Sequence, residues 1–466
     1  MRLDKYFAAF DLGTSKIVGV IGQRNHDNTI TIQAIEKEES LSSMKRGCIQ
    51  NLDEVASKIK RIIKKLNNQV QPDISRVYIS IGGQSVRSID CTSSLFLGTA
   101  DVISDATIEQ LKNNSRNQQP EAVEVLEIVE NYYLVDGEKV TEPIGREASE
   151  IEASHKVIVS RPAVYKNIIK CFEEKVDIEI ADTLPAPLAA ATAILSDAEI
   201  ARGCALVDFG AGTTTVSVYK DGALAHLAVI PFGGNHITMD IAALGLSESD
   251  AEKLKLSQGS AKYDDTADSK ILKQQVAIAN DGSKIEMQKL HYTIEARIEE
   301  ILLNVGAQID QAGFSRHQLE AGIIIIGGAS QLKNLPSLMT EKLGMDVRKG
   351  ILPKTISIAN AEVGALSGLN IVAGLLMMAK VNCSSYVEPV AAPPVKEVKP
   401  EIQPEFETIA ETPIAQPVEQ DEIIIKETKR PQKEEEEEYI PKKPTKEKHK
   451  KSGLLEGIGR LFSLDD

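Results

Sequence analysis

Two short segments of this chain repeat one pattern, and that repetition limits its fold more than any other feature. Ala9-Phe10-Asp11-Leu12-Gly13-Thr14-Ser15-Lys16 and Val207-Asp208-Phe209-Gly210-Ala211-Gly212-Thr213-Thr214 each carry a hydrophobic strand into Asp-x-Gly and then into hydroxyl residues. A second apolar strand follows each, Ile17 to Ile21 and Val216 to Tyr219. One copy per half predicts two related halves. The residue types carry a chemistry. Glycine lets backbone N–H groups approach phosphate oxygens with no Cβ in the way, and Thr and Ser hydroxyls donate further hydrogen bonds. An Asp at each strand end can hold waters of a hydrated Mg²⁺, which takes one or two carboxylates and leaves its remaining positions to water and substrate phosphate. Two such hairpins face to face would clamp a triphosphate. A single Asp-x-Gly hairpin is an ordinary β-turn; two matched copies are harder to assign to turn-making alone.

A third segment, Gly322-Ile323-Ile324-Ile325-Ile326-Gly327-Gly328-Ala329-Ser330, is a buried strand running into paired glycines. By itself it reads as a parallel-strand-to-helix crossover whose glycines serve the turn. Placed after two Asp-x-Gly hairpins, it resembles the adenosine motif of the actin, sugar kinase and heat-shock chaperone superfamily. The resemblance implies an α/β, actin-like (ribonuclease H-like), duplicated two-domain ATPase fold that binds ATP and Mg. It assigns Asp11, Gly13, Thr14, Ser15 and Lys16 to the phosphate-1 motif, and Asp208, Gly210, Gly212, Thr213 and Thr214 to phosphate-2. Gly327, Gly328 and Ser330 would meet the adenosine. Asp11 and Asp208 would be the catalytic carboxylates, holding Mg through water. Ala181–Leu195 and Asn360–Leu369 resemble the two connecting helices, although close helix packing alone would also select their small residues. No residue stands out as a dedicated base for water attack, so the expected activity is at most a slow Mg-dependent ATPase.

Within that superfamily the chain resembles the bacterial cell-division protein family FtsA. An insertion follows Ile79-Ser80-Ile81-Gly82-Gly83, and within it Tyr133-Leu134-Val135-Asp136-Gly137 and Glu142-Pro143-Ile144-Gly145 follow family patterns, while Ile128-Val129-Glu130-Asn131 lacks the family's proline. Gly233-Gly234-Asn235-His236-Ile237-Thr238-Met239-Asp240-Ile241-Ala242 and Ala251-Glu252-Lys253-Leu254-Lys255 are similar to FtsA in the second half. The resemblance brings Glu252 and Lys255 to the ribose and adenine; a solvated helix face is the plainer reading of such charges. It also makes Arg297 a contact for the C-terminal peptide of the tubulin-like protein FtsZ, where an i,i+3 pair with Glu300 is the plainer reading. The implied organisation is domain 1A at 1–83 and 162–200, inserted subdomain 1C at 84–161, domain 2A at 201–232 and 302–383, and subdomain 2B at 233–301. The implied role is a polymer that anchors the FtsZ ring to the membrane with other division proteins. A small-molecule kinase of the same fold, or a non-catalytic scaffold such as a pilus-assembly relative, are the alternatives.

Charge and tail refine this. A formal net charge of −15 argues against nucleic acid as a partner, because such binding neutralises phosphates with Lys and Arg. Cys48, Cys91, Cys171, Cys204 and Cys383 lack metal-site spacing and read as buried free thiols. No apolar run reaches the length of about 18 residues that would span a bilayer. From 384 to 452 the chain is rich in Pro, Glu and Lys, contains the acidic run Glu434 to Glu438, and is expected to be a disordered linker with a reach of about 45 Å or more. Residues 453–466 place Leu454, Leu455, Ile458, Leu461 and Phe462 on one helical face, after a lysine-rich approach. That pattern predicts an amphipathic membrane-targeting helix, each nearby Lys adding about 1 kcal/mol at an anionic surface; docking on a protein is the alternative. The expected location is peripheral, on the cytoplasmic face of the inner membrane at the division site.

Overall fold

The computed structural model describes residues 5–70, 73–263, 276–278, 284–359 and 368–384. Two sheets carry the two halves. The first runs Glu179–Pro185, Arg76–Ile81, Lys5–Leu12, Lys16–Arg24, Ile30–Glu39 and Ile356–Ile358 in spatial order; the second runs Val347–Lys349, Ile323–Ile326, Cys204–Phe209, Thr214–Lys220 and Ala223–Ile230. In each, the Asp-bearing strand pairs antiparallel with the strand after its turn and parallel with a strand that ends in Gly-Gly. A further antiparallel strand lies on one side and a further parallel strand on the other. The duplication is therefore topological, and it makes Ile81-Gly82-Gly83 the counterpart of Ile326-Gly327-Gly328.

Helices cover both faces of these sheets, so the central strands bury residues without alternation: Phe7 to Phe10 and Ile323 to Ile326 are all buried. Helix Leu52–Asn67 starts where the Asn51 side chain accepts from Glu54 N at 3.1 Å, with acidic residues in its first turn and Lys64 and Lys65 in its last. The spacing of Val55, Ile59, Ile62, Ile63 and Leu66 predicts one apolar stripe, and all but the half-buried Ile63 are buried.

The two halves share a core. Ala190, Ala193 and Ile194 pack with Leu206, Ile324, Ile326 and Ala373. Helices Ala186–Ile194 and Leu369–Met378 cross where Gly374 faces Ala189, and a Cβ on Gly374 would lie 1.8 Å from the Ala189 carbonyl oxygen. One sequence expectation is corrected here. Ala181 to Pro185 do not begin the connecting helix; they belong to strand Glu179–Pro185, paired with Arg76–Ile81. Proline at 185 keeps Leu184 extended, and the helix starts only at Ala186. Of the other expected connecting helix, residues 360–367 lie outside the described residues.

Between Gly83 and Arg161 lies a separate sheet, in the order Arg87–Val102, Glu147–Ser160, Glu124–Val135 and Glu138–Val140. Helix Asp105–Asn117 covers one face, entered through a capping box of Ser104 and Thr107. In the second half, helices Gly234–Ala242, Glu248–Gln258 and Met287–Gln311 stand between strands Ala223–Ile230 and Ile323–Ile326 in sequence. All five cysteines are free thiols. Among the described residues no helix is long and apolar enough to cross a membrane. The expected linker beyond Ser384 and the anchor residues Leu454, Leu455, Ile458, Leu461 and Phe462 lie outside the described residues.

Candidate functional site

Both Asp-x-Gly turns close in the same way. Leu12 pairs with Ile17 and Phe209 with Thr214, leaving Gly13 to Lys16 and Gly210 to Thr213 as the turns. A Cβ on Gly13 would lie 2.7 Å from the Lys16 carbonyl oxygen, and one on Gly210 would lie 2.8 Å from that of Thr213. The turns meet across the gap between the halves: a Cβ on Gly212 would be 2.8 Å from both Oγ1 and Cγ2 of Thr14.

Behind the turns stand the two carboxylates. Asp11 accepts a hydrogen bond from Ser80 Oγ at 2.6 Å. Burial raises its carboxyl above the ordinary range, against the pull of Ser80 and the charge of Lys16. Burial, and after it the Asp11 charge, pushes Asp208 up to about 7. Two carboxylates that repel across a buried gap favour a proton or a cation between them. Lys16, half-buried, has its ammonium pushed down by burial and by Lys37, with Asp11 acting against both.

Each turn is braced by groups the sequence reading passed over. Ser40 holds the first: its Oγ donates to the Gly13 carbonyl at 2.7 Å and its N–H to the Ser15 carbonyl at 2.9 Å. The buried Lys58 in turn donates to the Ser40 carbonyl at 2.9 Å, to Ser43 Oγ at 3.1 Å and to Glu54 Oε1 at 2.6 Å. A detectable sign existed, since Lys58 interrupts the apolar stripe of its helix between Val55 and Ile59. The second turn is held by the N-terminus of helix Gly234–Ala242, where Gly234 N donates to the Gly210 carbonyl at 2.9 Å and Asn235 N to the Ala211 carbonyl at 2.8 Å.

Lys255 and Glu252 come to that same helix. Lys255 is buried and its Nζ donates to the Gly234 carbonyl at 3.1 Å, to Thr238 Oγ1 at 2.8 Å and to Glu252 Oε2 at 2.6 Å. A solvated helix face is thus the wrong description for Lys255. Gly327 sits at φ +88°, and a Cβ there would lie 2.3 Å from Asp208 Oδ1, so the strand end can hold only glycine beside that carboxylate. Gly328 opens onto free space. Two expected ligand hydroxyls serve the fold instead: Thr214 is fully buried and donates to the Phe232 carbonyl at 2.9 Å, and Ser330 donates to the Gly327 carbonyl at 2.7 Å. Ser15 is exposed and Thr213 half-buried on the turns.

Arg297, on helix Met287–Gln311, pairs with Glu300 as its spacing predicts, and it also makes a two-pronged contact with Asp240 at 2.5 and 2.9 Å. Its guanidinium lies 5.9 Å from the centre of the Phe232 ring. The residue therefore joins the long helix to helix Gly234–Ala242, whose other end holds the second turn.

Known proteins resemble this chain in sequence and in fold. The family model "Cell division protein FtsA" matches residues 205–365, and the model "SHS2 domain inserted in FTSA" matches residues 83–159. The cell division protein FtsA of Porphyromonas gingivalis is 29% identical over 391 residues, covering 83% of this chain and 81% of that protein. That of Bacillus subtilis is 27% identical over 356 residues, covering 75% and 79%. Among solved structures, a PilM-PilN type IV pilus biogenesis complex superposes with a TM-score of 0.56 at 13% identity, over 81% of this chain and 98% of that one, a likeness of fold alone. The fold is the actin-like one, in two related halves with an SHS2 insertion in the first. With both family models matched in order, and relatives from distant bacteria aligned over most of their length, the chain belongs to the FtsA family of cell division proteins.

Proposed function

We propose that this chain binds ATP with Mg²⁺ between its two halves, self-associates in that state, and holds the FtsZ ring to the cytoplasmic face of the inner membrane. One observation carries the nucleotide reading: two matched Asp-x-Gly turns meet at Gly212 and Thr14, with Asp11 and Asp208 behind them. The donor set suits Mg²⁺, which seldom takes a full protein cage. Among the described residues no group of three or more His, Cys, Asp or Glu is gathered for a metal. Asp11 and Asp208 would hold the ion through water, and when bound it would offset phosphate charge. Gly13, Thr14, Ser15 and Lys16 would line one side of the phosphates and Gly210, Gly212 and Thr213 the other, with Gly327, Gly328, Glu252 and Lys255 toward the nucleoside. Hydrolysis would be slow, since the sequence marks no dedicated base for water attack.

The organisation that goes with this reading is 1A at 1–83 and 162–200, 1C at 84–161, 2A at 201–232 and 302–383, and 2B at 233–301. A linker at 384–452 and a lipid-binding helix at 453–466 would follow. Arg297 is our candidate contact for the FtsZ C-terminal peptide. Because it already braces Asp240, Arg297→Gln is a cleaner test than Arg297→Glu, which would set two carboxylates against each other.

Titration of the full chain with ATP, with and without Mg²⁺, tests the core claim. Binding in Mg²⁺ that weakens about tenfold or more in Asp208→Asn is expected, a loss on the scale of one charge-assisted contact. Absence of adenine nucleotide binding at every Mg²⁺ level would overturn it.

A further inference from the structure

Strands Met44–Lys45 and Cys48–Ile49 form a hairpin whose tip, Arg46 and Gly47, lies in the left-handed region at φ 50° and 75°. A side chain there is disfavoured and persists only where its surroundings hold it. Here they do. Gly47 N donates to Thr14 Oγ1 at 2.9 Å, and Gln84 N donates to the Arg46 carbonyl at 3.1 Å. A Cβ on Gly47 would lie 2.5 Å from Gly83 Cα, and one on Gly212 would lie 3.2 Å from Arg46 Cα. The tip is thus wedged among the first turn, the second turn and the Gly82-Gly83 strand end.

Its side chain is the unexplained part. Arg46 is half-buried, and the hydrogen bond of its guanidinium goes to the neutral Gln84 Oε1 at 3.3 Å. Among the described residues no carboxylate lies within ion-pair distance of it. Its charge crosses to the second half, where, after burial, it is the next largest influence lowering His236. A partly desolvated cation without a counter-ion is unfavourable, and an anion held between the turns would supply one. Position along the ligand follows from the neighbours. Lys255 and Ala329 adjoin Gly234, whereas the tip adjoins Thr14, Gly212 and Gly83. With Lys255 toward the nucleoside, as proposed above, Arg46 would serve the phosphates, where Thr14 and Gly212 meet, and a guanidinium fork matches phosphate oxygens in pairs.

We propose that Arg46 recognises the terminal phosphate of a nucleoside triphosphate lying between the two turns, so that the site discriminates triphosphate from diphosphate. The proposal rests on the nucleotide reading above and deepens it. The test is titration of the full-length chain with fluorescent ATP and ADP analogues in Mg²⁺, comparing the native chain with Arg46→Gln and Arg46→Lys. The expected result is a loss of about tenfold or more in ATP affinity for Arg46→Gln, with ADP affinity held within about threefold and Arg46→Lys between the two. An unchanged ATP-to-ADP ratio in both variants overturns the proposal while leaving the nucleotide site standing. Should Arg46→Gln fail to fold, Arg46→Lys decides alone, a native ratio in it being the overturning result. If the native chain binds neither analogue, the nucleotide reading itself fails and this proposal falls with it.

Discussion

At the scale of single residues, the site depends on groups that never face the gap. Lys58 joins helix Leu52–Asn67 to the Ser40 carbonyl, and Ser40 fixes the carbonyls of Gly13 and Ser15. Replacing Lys58 with Met keeps the length of the side chain and removes its donors, leaving the Ser40 carbonyl without that partner. We expect Lys58→Met to cost about 1–3 kcal/mol in urea unfolding. ATP affinity should fall several-fold more than it does in Glu54→Gln, which leaves the Ser40 contact intact; equal effects of the two variants would show that Lys58 acts on stability alone. The turns themselves were legible because their requirement is local: glycine, a carboxylate and hydroxyls in a fixed order. Their supports were not. Arg46 and Gly47 sit between strands too short to leave a period-2 pattern, and Thr214 and Ser330 had their hydroxyls assigned to a ligand when nearby carbonyls claim them.

At the scale of elements, the inserted sheet contains a polar cluster that makes its stability depend on pH. His155, on strand Glu147–Ser160, is fully buried, with Nδ1 2.7 Å from Ser115 Oγ on helix Asp105–Asn117 and its ring edge-on to Tyr133. Glu130 and Lys112 are the charged groups that act on it. Burial is the main cause holding its pKa below the ordinary value near 6.5; Glu130 pulls it up and Lys112 pushes it down. The sign follows: the unfolded chain takes up the proton first as pH falls. The stability contributed by neutral His155 is therefore complete above about pH 6.5 and is lost progressively as pH drops from there toward the folded value. Thermal unfolding of the native chain and of His155→Gln should diverge least at acid pH, where the native chain has lost its advantage; parallel curves down to pH 5 would exclude the mechanism. Element boundaries reveal another limit of sequence reading. The small residues from Ala181 onward suit a helix as well as a strand; Pro185 restrains only Leu184 before it, and pairing with Arg76–Ile81 decides the rest of the strand.

For the whole molecule, the two halves share an apolar core around Ala190, Ile194, Ile326 and Ala373, and their turns meet at Thr14 and Gly212. Were the halves to pivot about that core, occupancy of the gap would become a change of angle between them, which is how the proposed nucleotide would govern self-association. On the proposed reading, membrane attachment would be a collective property. If Leu454, Leu455, Ile458, Leu461 and Phe462 form the proposed lipid-binding helix, one copy would bind lipid weakly and reversibly, whereas a polymer would present many copies and gain by multivalency. Co-sedimentation with anionic liposomes should therefore rank full chain with ATP above full chain without it. A chain ending at Lys451 should remain in the supernatant under both conditions, although it keeps the basic approach and the whole nucleotide-binding body. Equal pelleting of the full and shortened chains would remove the anchor from the proposal. An ATP-independent signal from the full chain would instead separate lipid binding from assembly.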